Sequence, residues 1–330
     1  MVDQLNRVLT VIGASLEEST KELYGTGLLV YHVYCDINDI PDVQRAPINP
    51  NLLASFLASC AGAHSGSTIS NYAAAVKAWH ILHGLAWNVK EIEYKALLDG
   101  VRKLAPPSSR RPKWAPFTIP ILEHFCMAMD LSNPRDAVIL ACLICAFFSI
   151  THLGELTVLA ISKYNLLEHI SRAGLTFTTN HENLPVIKFS LPRTKTSSDG
   201  EEAHCAPLDP SSTVDPKSLI ENHFKVNLDV PGAHIFSWMH HSGSTHPLSK
   251  KEVMKWIDAI IKEHPNLPDL KGHSLHIGGT LYYLLLGTPF DVVKTMGRWS
   301  SDTFSLYLRH HALVLAPFLQ HCPDLMDNIH

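Results

Sequence analysis

Residues 271–311 read KGHSLHIGGTLYYLLLGTPFDVVKTMGRWSSDTFSLYLRHH, and this stretch decides the fold. Gly272, Gly287 and Gly297, with Pro317 just beyond, cut it into short helices. Polar side chains stand in it where helix packing does not require them. His273 and His276 open the first helix, Arg298 and Trp299 fall between two helices, and Tyr307 lies in the last.

Two further polar groups lie upstream. Thr151-His152-Leu153-Gly154-Glu155-Leu156 follows AVILACLICAFFSI, a run that is apolar on every side and therefore reads as a buried helix opened by Asn133-Pro134. Cys142 and Cys145 in this run read as core thiols, because their flanks are apolar and a second cysteine pair is missing. Arg193-Thr194-Lys195-Thr196 sits where the period changes. From Thr176 to Pro207, LTFTT, VIKFSLP and HCAPL carry alternating or β-branched residues broken by turn formers, which predicts about three antiparallel strands. Ser249-x-x-Glu252 is a capping box opening a helix with Val253, Trp256, Ile257, Ile260 and Ile261 on one face.

The first hundred residues read as helical. Asn49-Pro50 opens LLASFLASCAG. Ser67 or Thr68 caps the next helix, whose face is Ile69, Tyr72, Val76, Trp79 and His83 up to Gly84. APPSSRRPKWAP at 105–116 is too proline-rich for helix and predicts an extended linker. The expected organisation is a helical domain 1–104, a linker 105–116 and a second domain 117–330. The fold class is mainly α with a small antiparallel β-sheet.

Composition excludes several classes. With 330 residues, 46% of them hydrophobic and 18% charged, a core is assured and global disorder is excluded. The longest apolar run falls short of the roughly 20 residues that span a bilayer, so no membrane partner is expected. The N-terminus lacks the apolar stretch of a secretory signal, and seven scattered cysteines argue for reduced thiols. An intracellular soluble protein is expected, nuclear if eukaryotic and cytoplasmic otherwise. The net charge of −4 gives no hint of a nucleic-acid partner.

The order of these motifs resembles the catalytic domain of the tyrosine recombinases, the phage integrase-like family. It is most similar to the enzymes of eukaryotic tyrosine-recombinase transposons, where a GRWSSD-like segment precedes the tyrosine. The helical module TISNYAAAVKAWHILHG is similar to the family's core-binding domain. The resemblance implies a two-domain, C-shaped clamp on double-stranded DNA that performs site-specific strand cleavage and rejoining through a 3′-phosphotyrosine. No metal or nucleotide cofactor is implied, since the phosphotyrosyl link conserves the bond energy. Tyr307 is then the nucleophile, Lys195 the general acid for the leaving 5′-oxygen, His273 the acid/base, and Glu155 the acidic buttress. Trp299 fills the late His/Trp position, although counting nine residues back from Tyr307 lands on Arg298. Arg110, Arg111, Lys113, Lys188 and Arg193 are the expected phosphate contacts. The tail APFLQHCPDLMDNIH offers Phe318, Leu319, Leu325 and Met326 for docking in cis or onto a neighbour, in a dimer or tetramer on DNA.

The departure from the family is at its two phosphate-clamping arginines, whose places hold His152 and His276. Guanidinium is charged at any working pH and presents five donors, whereas imidazole offers at most two and is mostly neutral above about pH 6.5. Losing one transition-state donor costs about 10²–10³ in rate. A weakened or inactive recombinase is expected, with a non-cleaving DNA-binding protein as the alternative. If both histidines gain charge on acidification, residual cleavage is expected to rise as pH falls from about 8 to about 6, opposed by protonation of His273.

Plainer readings of the same residues exist. Tyr307 can be an ordinary helix tyrosine and Lys195 a solvated hairpin lysine. His273 with His276, His204 with Cys205, or His240 and His241 with His246 can ligate zinc, but no acidic or cysteine partner stands at a convincing spacing.

Overall fold

Asparagine–proline pairs start two of the helices. Asn49 accepts the Asn51 N–H at 2.8 Å, and Asn133 accepts the Arg135 N–H at 2.9 Å, each with proline in the first turn. The computed structural model describes residues 7, 10–16, 18–110, 114–194, 197, 199–228 and 232–299. The chain divides into two compact units, residues 1–112 and 113–330.

In the first unit the helices are α1 (Glu18–Ile37), α2 (Asp42–Arg45), α3 (Pro50–Cys60), α4 (Gly66–Leu82) and α5 (Glu91–Leu104). Tyr31, Phe56, Leu57, Ile69, Tyr72 and Val76 form its core. Two expectations for α4 are corrected. Its cap is Ser65, whose hydroxyl accepts the Thr68 N–H at 3.1 Å, so the helix starts before Ser67 and Thr68. Its inward face ends on His80, fully buried, while His83 is exposed. The reason is a hydrogen-bonding demand: Ile48 N–H donates to His80 Nε2 at 2.8 Å, leaving Nδ1 to donate to the Val76 carbonyl at 2.7 Å. Within 105–116 the backbone is not uniformly extended, because Pro107–Ser109 makes one 3₁₀ turn.

The second unit contains α6 (Ile119–Ala128), α7 (Pro134–Phe148), β1 (Leu175–Thr179), β2 (Pro185–Leu191), β3 (Glu201–Cys205), α8 (Pro216–Val226), β4 (Ser237–Met239), β5 (Thr245–Pro247), α9 (Lys250–Glu263), α10 (Gly272–Leu285) and α11 (Phe290–Met296). Every residue of α7 from Asp136 to Phe148 is buried, as its apolar periphery dictates. Cys142 and Cys145 are core thiols pushed upward by burial. The expected antiparallel sheet has the order β1-β2-β3. Its first turn is set by Asn180, whose side-chain oxygen accepts from Glu182 N–H and Leu184 N–H, both at 2.9 Å. The third strand is EEAHC rather than the HCAPL expected, and a second antiparallel pair, β4-β5, was not expected at all. The capping box at α9 is present, with Val253, Ile257 and Ile260 buried and Trp256 and Ile261 packed beside them.

Helix α10 lies against α7 at unusually close range. A side-chain carbon at Gly279 would overlap the Phe147 carbonyl oxygen, and one at Gly278 would overlap that of Phe117. Only glycine permits this approach. The Phe117 N–H donates to the Ser274 carbonyl at 3.0 Å and ties the start of the unit to the same helix. The architecture is mainly helical with small antiparallel sheets.

Candidate functional site: a stack of three imidazoles

The turn after α7 is built to hold its side chains in fixed directions. Ile150 takes a positive φ of 47°, and Ser149 Oγ donates to the Cys145 carbonyl at 2.6 Å. Leu153 and Leu156 point into the core, and Thr157 Oγ1 donates to the Leu153 carbonyl at 2.7 Å. His152 and Glu155 are thereby left on the other side. The His152 N–H donates to Glu155 Oε2 at 2.9 Å, so the carboxylate also clamps its own turn.

His273 and His276 lie one turn apart on α10. The rings of His152 and His276 stack with centroids 4.0 Å apart and planes 4° from parallel. His273 is parallel to both, at 5.5 Å from each. Trp299 meets His276 edge-on at 4.8 Å, and Trp114 meets His273 edge-on at 5.7 Å. Gly297 makes room for the Trp299 indole, which a side-chain carbon there would overlap.

Arg298 follows Gly297 with φ 56° and turns into the cluster. Its Nη2 donates to Glu155 Oε2 at 2.5 Å, and its Nε lies 3.5 Å from Glu201 Oε2. Glu201 Oε2 also accepts the Thr194 hydroxyl at 2.6 Å. Both candidates for the late position thus reach the same cluster, Trp299 through its ring and Arg298 through its charge. Burial raises the Glu155 carboxyl above its ordinary value, against the opposing pull of Arg298.

His276 is fully buried, and burial, reinforced by His152, His273 and Arg298, pushes its pKa down to about 2. Without DNA beside it, burial thus holds this imidazole in its neutral form near pH 7.

The other expected residues are placed as follows. Lys188 Nζ lies 3.0 Å from Glu202 Oε1 and Arg193 Nη1 lies 3.5 Å from Glu168 Oε1, so each meets a carboxylate at the surface. Arg110 lines a polar cleft of about 450 Å³ in the first unit with Arg102, Ser65, Ser67 and Asn71. Lys195, Tyr307, Arg111, Lys113 and the C-terminal tail lie outside the described residues. Among the described residues no three His, Cys, Asp or Glu side chains are grouped to hold a metal ion. No described helix is long and apolar enough to cross a membrane. Sequence reasoning missed Glu201 and Trp114 as members of the cluster.

No protein-family model matches the chain, and no curated protein matches it in sequence. Solved structures do match. The XerH site-specific recombinase bound to palindromic difH substrate, in its post-cleavage complex, superposes with a TM-score of 0.54 at 14% identity, over 90% of this chain and 78% of that one. The Tn1549 transposon integrase in complex with circular intermediate DNA gives a TM-score of 0.51 at 13% identity, over 92% of this chain and 95% of that one. The same integrase with transposon right end DNA gives 0.54 at 12% identity, with the same coverage. The second unit's small sheet, its buried α7 and the first unit's helices are therefore the parts of one known architecture. The chain has the tyrosine recombinase fold.

Proposed function

We propose that the chain is a duplex-DNA-binding protein of the tyrosine recombinase type whose strand cleavage is severely weakened at the phosphate clamp. The comparison proteins were solved on DNA, which supports a DNA partner for this chain. In this reading Tyr307 Oη attacks the phosphorus and Lys195 protonates the departing 5′-oxygen. His273 exchanges the tyrosine proton, Glu155 braces the turn that carries His152, and Trp299 packs on the site. Arg110, Arg111, Lys113, Lys188 and Arg193 contact the backbone. The helical first unit serves as the core-binding half and 105–116 as the linker. Descent from a eukaryotic transposon, a nuclear location and assembly through Phe318, Leu319, Leu325 and Met326 belong to the same proposal; they rest on the GRWSSD segment and on the apolar tail.

The observation that carries the reading is the stack of His152 on His276 at the two clamp positions. A pentacoordinate phosphate develops charge that must be balanced by preorganised donors. His276, fully buried and stacked at 4.0 Å on His152, offers fewer donors than a guanidinium, and burial disfavours its charged form. A scaffold of this kind can bind duplex through peripheral cations while cleaving it poorly.

The experiment has two parts. Fluorescence anisotropy on a 30-base-pair duplex should show binding at low salt that weakens steeply as salt rises, since each neutralised phosphate releases counterions. In a chain with both arginines restored (His152→Arg with His276→Arg), Tyr307→Phe should abolish the covalent protein–DNA adduct and leave duplex affinity within a few-fold. Absence of duplex binding at low salt, or an adduct that survives Tyr307→Phe, overturns the reading.

A further inference from the structure

We propose that Glu201 is a positioning residue: its carboxylate ties the turn between β2 and β3, where Lys195 stands in the sequence, to the turn after α11 that carries Arg298. The proposal rests on the cleavage reading above, and its test reads the tie itself as well as cleavage. Glu201 opens β3 opposite Leu191 of β2, on the same face as the buried Ala203 and Cys205. A carboxylate on the inward face of a strand loses hydration and needs partners in exchange. Two are in place on one oxygen. Oε2 accepts the Thr194 hydroxyl at 2.6 Å and lies 3.5 Å from Arg298 Nε, an ion pair rather than a hydrogen bond.

Thr194 passes this anchorage on to the turn. Its Oγ1 accepts the Ser197 N–H at 3.1 Å, and its own N–H donates to the Ser197 carbonyl at 2.9 Å. Gly200 closes the turn at φ 84°, where a side-chain carbon would crowd the Leu191 carbonyl oxygen. On the other side, Arg298 Nη2 is bound to Glu155, which also accepts the His152 N–H at 2.9 Å. Hydrogen bonds and one ion pair thus run from the turn after α7, through Glu155, Arg298 and Glu201, to Thr194, the residue before Lys195. A general acid works only when its donor comes within hydrogen-bond reach of the leaving oxygen. A misplacement of about 1 Å can cost about a hundredfold in rate. The anchored Thr194 fixes one end of the turn on the cluster and so restricts where the next side chain can reach.

The tie is tested on the full chain, ¹⁵N-labelled, at pH 7 and without DNA. Amide hydrogen exchange is read at Ser197, with Leu184 in the β1–β2 turn, held by Asn180, as the control. Arg298→Gln and Glu201→Gln should each speed exchange at Ser197 about tenfold and leave Leu184 unchanged. The double variant should exchange no faster than Glu201→Gln alone. The link to the general acid is read as cleavage in the chain with both arginines restored. There Glu201→Gln should slow adduct formation on an ordinary suicide duplex by about tenfold or more at matched occupancy. It should slow nothing when sulfur replaces the leaving 5′-oxygen, because a thiolate departs without a proton. A merely structural role would slow both substrates alike. If Ser197 responds and neither substrate gives an adduct, the tie stands and the cleavage reading fails. If Ser197 is indifferent to both substitutions, if the oxygen substrate is cleaved at an undiminished rate, or if the defect persists with sulfur, the inference is overturned and the cleavage reading is judged on the adduct alone.

Discussion

His152 and His276 come from elements more than a hundred residues apart and lie face to face, 4.0 Å between centroids and 4° from parallel. The close approach of α10 to α7 sets this distance, because Gly278 and Gly279 let the helix carrying His276 press against the Phe117 and Phe147 carbonyls. The turn after α7 then brings His152 over the same spot. The juxtaposition is a property of the packing of these two elements.

That packing predicts an asymmetry between two glycines in helices. Gly279→Ala should cost about 3 kcal/mol, as overpacking against an immovable backbone does. Gly25→Ala in α1 should raise stability by about 0.5–1 kcal/mol, since nothing lies near its added carbon and alanine is the better helix former. Urea denaturation of the two variants checks this. Equal effects of the two substitutions would mean that α10 does not rely on its glycines.

The second unit should be acid-labile. Burial lowers the pKa of His223 to about 4, of His234 to about 3 and of His276 to about 2. Unfolded imidazoles take up protons near pH 6.5, while these folded ones do not. The associated stability is therefore complete above about pH 6.5 and is lost as pH falls below it, at up to about 1.4 kcal/mol per pH unit for each histidine. Urea midpoints at pH 7.5 and pH 5.5 should differ strongly. Equal midpoints would contradict the burial of neutral imidazoles.

Much of this arrangement was legible in the sequence, and the gaps have physical causes. Motif order alone marked His152, Glu155, His273, His276, Arg298 and Trp299, and the structure gathers all six. Glu201 escaped because the third strand was read at HCAPL. Placed at 201–205, the two-residue period puts Glu201 on the face of Ala203 and Cys205, which is the inward one. Strands β4 and β5, at three residues each, are too short for alternation to register. His80 replaced His83 on the buried face of α4 because its ring satisfies the Ile48 N–H, a long-range demand that periodicity does not see.

On the proposed DNA surface, Lys188 and Arg193 are held by carboxylates. Glu202, whose carboxyl is lowered chiefly by its hydrogen bond to Lys188, and Glu168 should act as brakes on phosphate contact. Glu202→Gln and Glu168→Gln should each tighten duplex binding several-fold and steepen its salt slope by up to about one. Anisotropy titrations across 50–200 mM salt measure both quantities. Unchanged affinity in both variants would remove Lys188 and Arg193 from the interface.

The central claim is that cleavage fails at the histidines in the clamp and not elsewhere in the site. The direct measurement is covalent adduct formation on a nicked suicide duplex, comparing the parent with His152→Arg plus His276→Arg at matched DNA occupancy. Each restored donor is expected to return about 10²–10³ in rate, less than multiplicatively for two groups acting as one unit. The account predicts an adduct in the double variant at least about a hundredfold above the parent, with no gain on lowering the pH from 8 to 6. An adduct yield no higher than the parent's would contradict it.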